Sequence, residues 1–478
     1  MNSVIFQPER WCDRERFPFT ILFVAIVGSA CLMPAQSDTW WHLRTGEEIW
    51  RSGRVLLYDQ FTHTVPGRAW PDHEWLTQVI FYALYVAGGL PLITLLCAAA
   101  VAVAWIIVLS LTPGPAIFRV ALVGCGAALS SGAWSLRPQV LTMMMFAVTL
   151  WVLVRRRYVW ALPPLFLLWA NLHGGVVLGG VLIAAAALAS LRAGDGWFTR
   201  LTVVGGLCFI ATTLTPLGLS LWFELPQMVR RNEVYGVQEF QPTGLSTWSD
   251  AAFWLTAGSM IALAVVRRRV LQSVHPLTLV ISATLLFVMA IRNARQVTPF
   301  FLCVVPTIAV LLSVRATRKE HSPVHGPMLR NAVTAATCGL AAACFIAYAW
   351  SVSLPRLAWE PLPPGVIAAI DDCPGPLYNR YDDGGALLWF AKDRKIFIDS
   401  RQDPFPMDLV FEHIEVERTG DYRRMFDRYG IACALTHRGL PLAARLQRDG
   451  WTERRAGGHW TVYRRPLRQF ALSAEPQL

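Results

Sequence analysis

Eleven apolar runs, most of them close to the length that crosses a bilayer, constrain this chain more than anything else in its sequence. A hydrocarbon core of about 30 Å takes about 20 helical residues, and inside it every backbone N–H and C=O has to be satisfied by the chain itself. The runs cover residues 17–35, 90–111, 116–134, 140–154, 159–170, 176–191, 201–217, 251–266, 277–291, 298–314 and 332–352. The run 159–170 is the shortest and also fits a re-entrant piece. Only 16% of the residues are charged and 54% are hydrophobic, against about 25% charged in soluble domains. The chain therefore reads as an α-helical polytopic membrane protein.

Charge sets the expected orientation, because cytoplasmic loops are rich in Lys and Arg. With the N-terminus inside, Arg10, Arg14, Arg16, Arg119, Arg155, Arg156, Arg157, Arg192, Arg200, Arg267, Arg268, Arg269, Arg315, Arg318, Lys319 and Arg330 all face the cytoplasm. Eleven crossings then place everything after about Pro355 on the outer side of the cytoplasmic membrane. Residues 1–354 read as a membrane domain and residues 355–478 as an extracytoplasmic one. The start RWCDRER followed by an apolar run reads as an uncleaved signal anchor, with the small residues near Ser29 and Ala30 leaving cleavage open. The net charge of +11 does not point to nucleic acid. From Pro355 onward 18 basic and 17 acidic residues leave +10 in the membrane part, where orientation accounts for it. Only Cys373 and Cys433 fall in the exported part, where an oxidising compartment allows them to pair.

Residues 37–89, between the first two runs, carry the densest polar chemistry: Asp38, His42, Asp72, His73 and Glu74. Such groups beside a bilayer are costly unless they face a cavity or the aqueous edge, so this stretch reads as the active-site loop. Apolar residues at helical spacing over 39–51 predict an interfacial amphipathic helix with Asp38 at its N-cap, and PDHEW opens a second one over 75–87. Capping is the alternative to a functional role for Asp38, and dipole stabilisation the alternative for Asp72 and Glu74. His42, Asp72, His73 and Glu74 are all metal-ligand types, which leaves a divalent metal open, although their spacing matches no defined motif such as HExxH.

Polar residues recur at the same side of later runs. They are Arg137 and Gln139 in LRPQ, Asn171 and His173 in WANLHGG, Glu224, Arg230, Arg231 and Glu239 after the seventh run, and Arg292, Arg295 and Gln296 in IRNARQ. Singly, each arginine reads as an anchor that snorkels to water. As a group they suit a phosphate, with Arg137, Arg292 and Arg295 as its binders. No glycine-rich phosphate loop is visible.

After Pro355 the pattern changes. Residues 374–379, 395–399, 431–436 and 460–464 read as short strands, and 385–391, 423–429 and 442–449 as helices, which together make a small C-terminal α/β domain. Asp382, Asp383, Asp399 and Arg401 fall at strand ends, where open α/β sheets place ligands, with solubility and helix capping as the alternative.

The stretches SDTWWHLRTGE, WPDHEWLTQ, LRPQ, WANLHGG, YDDGGALLWF and KIFIDSR are spread over most of the chain. With a first membrane helix followed at once by an acidic residue and two interfacial helices, they resemble the GT-C superfamily of integral membrane glycosyltransferases, and more narrowly a bacterial GT-C-like group. The resemblance implies a transferase that takes a sugar from a polyprenyl-phosphate donor and passes it to a glycan, lipid or protein acceptor at the outer face of the membrane. It implies Asp38 as catalytic base, with Asp72 or Glu74 at a second acidic position where some relatives place a base or a metal ligand. The candidate substrate-binding residues are His42, His73, Arg137, Asn171, His173, Arg292, Arg295, Asp382, Asp383 and Arg401. Two alternatives remain. A transporter usually shows paired repeats and midplane charges, whereas these polar residues gather at an edge. In a scaffold protein Asp38 and the arginines would be structural.

Overall fold

The computed structural model describes residues 17–313 and 328–466, so Arg10, Arg14, Arg16, Arg315, Arg318 and Lys319 lie outside the described residues. The helical part comprises α1 (Phe17–Ala30), α2 (Ser37–Ser52), α3 (Trp75–Leu111), α4 (Ala116–Ser130), α5 (Gln139–Arg155), α6 (Leu162–Leu172), α7 (Val177–Ala193), α8 (Trp197–Thr212), α9 (Leu221–Val234), α10 (Trp248–Val266), α11 (Val274–Arg292), α12 (Val297–Leu312) and α13 (Met328–Leu357). Among the described residues, six helical segments are long and apolar enough to cross a membrane: Trp75–Leu111, Ala116–Ala133, Gly174–Ala193, Trp248–Val266, Val274–Arg292 and Ala294–Leu312. The other apolar helices are shorter, among them Gln139–Arg155, Val159–Leu172 and Trp197–Thr212.

The loop after α1 forms both amphipathic helices. α3 breaks at Gly88 (φ −170°) and Gly89 (φ 71°), just ahead of Pro91, so the expected stretch 75–87 and the apolar run 90–111 meet at a bend. α2 begins two residues earlier than its periodicity suggests, with Gln36 as N-cap and Asp38 in the first turn. The Thr39 hydroxyl accepts the Gln36 backbone N–H at 3.0 Å and donates to the Leu136 carbonyl at 2.9 Å. Gln36 and Thr39 therefore cap the helix, which sets aside capping as the alternative role of Asp38 and leaves its carboxylate for other partners.

The C-terminal region holds α14 (Pro364–Asp371), α15 (Tyr381–Phe390), α16 (Met407–Thr419), α17 (Arg423–Arg428) and α18 (Pro441–Arg448) around strands β1 (Leu377–Tyr378), β2 (Cys433–His437), β3 (Thr452–Gly457) and β4 (Trp460–Arg464). The sheet order is β1-β2-β4-β3, with β1 parallel to β2 and the other pairs antiparallel. A disulfide joins Cys373 to Cys433. Edge strand β3, TERRAG, has no apolar alternation by which periodicity would find it, as suits a strand that blunts a sheet edge with charge.

Residues 395–399 are not a sheet strand as expected. Ile396 bridges Thr62 of the first loop, where Ile396 N–H donates to Phe61 O at 3.2 Å and His63 N–H to Ile396 O at 3.1 Å. The Asn379 side chain satisfies its neighbours, accepting from Phe397 N–H at 2.8 Å and donating to Ile398 O at 2.7 Å. The segment's backbone groups are thus paired without a sheet, and it is tied to the loop that carries the polar residues.

α15 lies directly on α2. A Cβ at Gly385 would fall 2.0 Å from the Ser37 carbonyl oxygen, and one at Gly46, on the side of α2 toward α3, 2.1 Å from Gln78 O. Trp40 packs edge-on to Phe390 at 4.8 Å. Glu47, 3% exposed, is paired with Arg51 at 2.9 Å, Arg44 at 3.2 Å and Lys392 at 2.7 Å. A buried carboxylate needs such partners, so Glu47 also fastens the C-terminal region to α2. We expect Gly385→Ala to destabilise the protein by about 1–3 kcal/mol through overpacking against a backbone that cannot yield, read as a fall in melting temperature in detergent. An unchanged melt would mean that α15 does not approach α2 this closely.

Candidate active site

The first turn of α2 places Asp38 beside two other loops. One Asp38 oxygen lies 2.8 Å from Arg137 Nη2, and the other accepts from Trp41 Nε1 at 3.1 Å and from the Ser400 hydroxyl. Arg137 sits in LRPQ just before α5, and its neighbour Leu136 is held by Thr39. The guanidinium also makes a bidentate pair with Glu239, at 3.2 and 3.1 Å. Arg295 reaches the same carboxylate at 3.2 Å from the short turn Ala294–Gln296 between α11 and α12. Asn293 shapes that turn by accepting Arg295 N–H, and Ala294 N–H donates to Gln241 O, so the turn is tied to the segment that carries Glu239.

Glu74 lies on the other side of Arg295. Three imidazoles surround its carboxylate: His173 Nε2 at 3.2 Å, His42 Nε2 at 3.6 Å and His73 Nε2 at 3.8 Å. His173 is held at Nδ1, which accepts from Gly175 N–H at 2.9 Å and lies 2.8 Å from the Thr142 hydroxyl. That leaves Nε2 turned toward Glu74, with Arg295 Nη2 3.0 Å from the same nitrogen. Asp72 is 2% exposed; one of its oxygens accepts from Gln78 Nε2 at 2.8 Å and from Glu74 N–H at 3.2 Å, while the other is buried without a hydrogen-bond partner among the described residues.

These groups converge on a cavity of about 70 Å³, lined by Asp38, His42, Asp72, His73, Glu74, Arg137, Glu239 and Arg295. The C-terminal region closes it with Ser400, Arg401, Gln402 and Asp403, and Trp41, Trp70 and Phe240 add aromatic surface. Arg401 has a side-chain exposure of 0% and pairs with Asp59 at 2.6 Å and Asp399 at 2.8 Å. Its guanidinium stacks over Trp70 at 4.6 Å and Phe61 at 5.1 Å.

The other expected residues lie elsewhere. Asn171 is committed to the framework, accepting from Trp75 Nε1 at 2.9 Å and donating to Leu167 O and Leu214 O. Arg292 is exposed at the end of α11 and does not line the cavity. Asp382 is exposed in the first turn of α15, and Asp383 faces His437 at 3.3 Å. Sequence reasoning placed Glu239 on the correct side without a role, and it passed over Ser400 and Asp403. Ser400 lies within the KIFIDSR stretch but nothing there gives it a role, and no signal marks a role for Glu239 or Asp403, since their meaning lies in partners far along the chain.

Burial pushes the Glu74 carboxyl up to about 7, against the pull of Arg295 and Arg137. Burial also pushes Asp72 up to about 7 and Asp403, beside Arg231 at 3.1 Å, up to about 6. Burial opposes ionisation of Glu239, but Arg295 and Arg137 hold it below its usual range. Burial and nearby arginines push His42 and His173 down, so both are neutral at pH 7. Among the described residues, no group of three or more His, Cys, Asp or Glu side chains is arranged to hold a metal ion.

No protein-family profile and no curated protein matches the chain. Solved structures do. One is the archaeal oligosaccharyltransferase AglB from Archaeoglobus fulgidus in complex with an inhibitory peptide and a dolichol-phosphate, 11% identical with a TM-score of 0.61 over 89% of this chain and 70% of that one. A second is the Archaeoglobus fulgidus oligosaccharyltransferase tethered to an acceptor peptide containing the NVT sequon, 13% identical with a TM-score of 0.54 over 90% and 70% of the two chains. ArnT from Cupriavidus metallidurans in the apo state aligns over 96% and 99% of the two chains, 14% identical with a TM-score of 0.48. At such identities the likeness is one of fold.

The Asp72 carboxyl gives a pH signature. Its folded pKa of about 7 exceeds the ordinary 3.8, so between those values the folded state holds more protons than the unfolded one, and this group's contribution to stability falls as pH rises. We expect the melting temperature of Asp72→Asn relative to the parent to climb from about pH 4 to pH 7 and then level off. A difference that is flat with pH would show that Asp72 ionises normally.

Proposed function

Since the chain has the fold of the GT-C membrane glycosyltransferases, we propose that it moves a sugar from a polyprenyl-phosphate donor to an acceptor hydroxyl bound at the Asp38 cavity. The observation that carries this reading is that the Asp38 carboxylate lies beside the Arg137 guanidinium, with Arg295 close by, among the groups that line a single cavity at one end of the helical bundle. Glycosyl transfer needs a base for the acceptor proton and cations for the departing phosphate. In this reading Asp38 takes the proton, and the acceptor oxygen attacks the anomeric carbon from the face opposite the phosphate. The bond from that carbon to the phosphate oxygen breaks, and its electron pair leaves on the polyprenyl phosphate, opposed by Arg137 and Arg295. Displacement in this sense inverts the anomeric centre. Arg137, Trp41 and Ser400 fix the orientation of the Asp38 carboxylate.

The dolichol-phosphate in the AglB complex supports a lipid-phosphate donor here. The basic residues gathered at the other end of the bundle support a cytoplasmic membrane location with the cavity on the outer face and the N-terminus inside. Residues 355–478 then form an extracytoplasmic domain that helps to bind the acceptor, which is a glycan, lipid or protein. Among the described residues no His, Cys, Asp or Glu group is arranged to hold a metal ion, and this reading routes no step through one. A second assignment of the base rests on a specific observation: the Glu74 carboxyl, pushed up to about 7 by burial, is poised for proton transfer near neutral pH.

The test is transfer from a panel of radiolabelled polyprenyl-phosphate sugars by the purified protein in lipid. We expect Asp38→Asn to fold and to lose transfer by about 100- to 10,000-fold, and Arg295→Gln to weaken it. If Asp38→Asn retains transfer and Glu74→Gln abolishes it, Glu74 is the base. If no donor is used and Asp38→Asn still rescues a knockout, the transferase reading fails.

A further inference from the structure

We propose that the Glu239 carboxylate occupies the seat of the donor phosphate in this structure and has to leave it before the donor binds. The inference rests on the reading of Arg137 and Arg295 as phosphate binders and adds a resident competitor to it. Both guanidiniums converge on Glu239: Arg137 holds it through two bonds, at 3.2 and 3.1 Å, and Arg295 closes on Oε1 at 3.2 Å. Two planar cations sharing one oxyanion is the arrangement that phosphate oxygens prefer.

Charge supports exchange over coexistence. A sugar phosphodiester carries one negative charge, and so does a carboxylate, so swapping one for the other leaves the charge balance of the cavity unchanged. Adding a phosphate beside a resident Glu239, with Asp38 and Glu74 across the same cavity, would place like charges together in a partly desolvated space. When Glu239 leaves, Arg137 keeps Asp38 at 2.8 Å and is not orphaned.

Space leads to the same conclusion. A cavity of about 70 Å³ has room for about two waters at ~30 Å³ each and falls well short of the ~300 Å³ at which ligand pockets begin. A shift at its wall widens it, and Glu239 is suited to make that shift. Its side chain is 29% exposed and stands on a three-residue turn, Gln238–Phe240, between α9 and α10. The carboxylate can swing into water while its neighbour Phe240, 3% exposed and stacked under Arg295 at 5.1 Å, keeps the turn in place.

The test uses the full chain in nanodiscs and measures binding of farnesyl phosphate, a short polyprenyl monophosphate, with farnesol as the same chain without phosphate. We expect Glu239→Gln to bind farnesyl phosphate about tenfold more tightly than the parent, because the two guanidiniums are released from a charged partner. Glu239→Asp stays close to the parent, Arg295→Gln binds more weakly, and farnesol binds all of them alike. A merely structural role for Glu239 would give weaker binding, not a gain. If Glu239→Gln gains nothing, or gains as much for farnesol, while Arg295→Gln still weakens farnesyl phosphate binding, this inference is overturned and the assignment of the arginines stands. If Arg295→Gln and the parent are indistinguishable, the phosphate reading of the arginines fails and takes this inference with it.

Discussion

Arg137 is the interaction on which the rest of the site depends. Its side chain is 17% exposed and touches Asp38 in α2 and Glu239 in the connection between α9 and α10, and through Glu239 it reaches Arg295 at the head of α12. Removing a cation from water beside hydrocarbon costs several kcal/mol, and only well-placed carboxylates offset it. The carboxylates are under the same constraint. Asp38, Arg137, Glu239 and Arg295 therefore form a line of alternating charge in which each member is tolerable because of the next, and three loops that are remote in sequence are drawn to one end of the bundle.

The same rule explains why the C-terminal region forms a wall of the cavity instead of standing apart from it. Arg401 is fully buried between Asp59 of the first loop and Asp399 of its own segment, and it is sandwiched with Trp70 and Phe61. Removing one partner from such a group costs about 3–5 kcal/mol, because a charge is left alone in the interior. That cost, with the backbone bonds between Ile396 and the Phe61–His63 stretch, pins residues 396–403 against the loop. Ser400 is thereby delivered to Asp38 and Asp403 to the cavity rim.

Much of this was legible in the sequence, and the failures have physical causes. The two helices of the first loop, the break between residues 87 and 90, and the gathering of Asp38, Glu74, Arg137 and Arg295 on one side follow from periodicity and from the alternation of apolar runs. Arg292 and Arg295 are equivalent in such a reading. They part company because α11 ends at Arg292 and Asn293 is extended (φ −147°), which turns Arg295 inward and leaves Arg292 outside. Asn171 has a polar side chain at the right depth, but the Trp75 indole and the carbonyls of Leu167 and Leu214 take up its hydrogen bonds. Residues 395–399 read as a strand because of their apolar, β-branched core; what periodicity cannot say is which neighbour such a segment pairs with.

By itself the sequence determined the class of protein, the amphipathic helices of the first loop and the end of the helices at which the chemistry gathers. Apolar length and helical spacing are local quantities, and a bilayer imposes them residue by residue. The tertiary structure alone decided which charges are partners: that Asp38 meets Arg137 instead of capping its own helix, that Glu239 lies between the two arginines, and that Ser400 and Arg401 come back from the end of the chain to close the cavity. Ion pairs act over a few ångströms between residues hundreds of positions apart, so their pairing is set by how the helices and the C-terminal region pack, and no local pattern carries it.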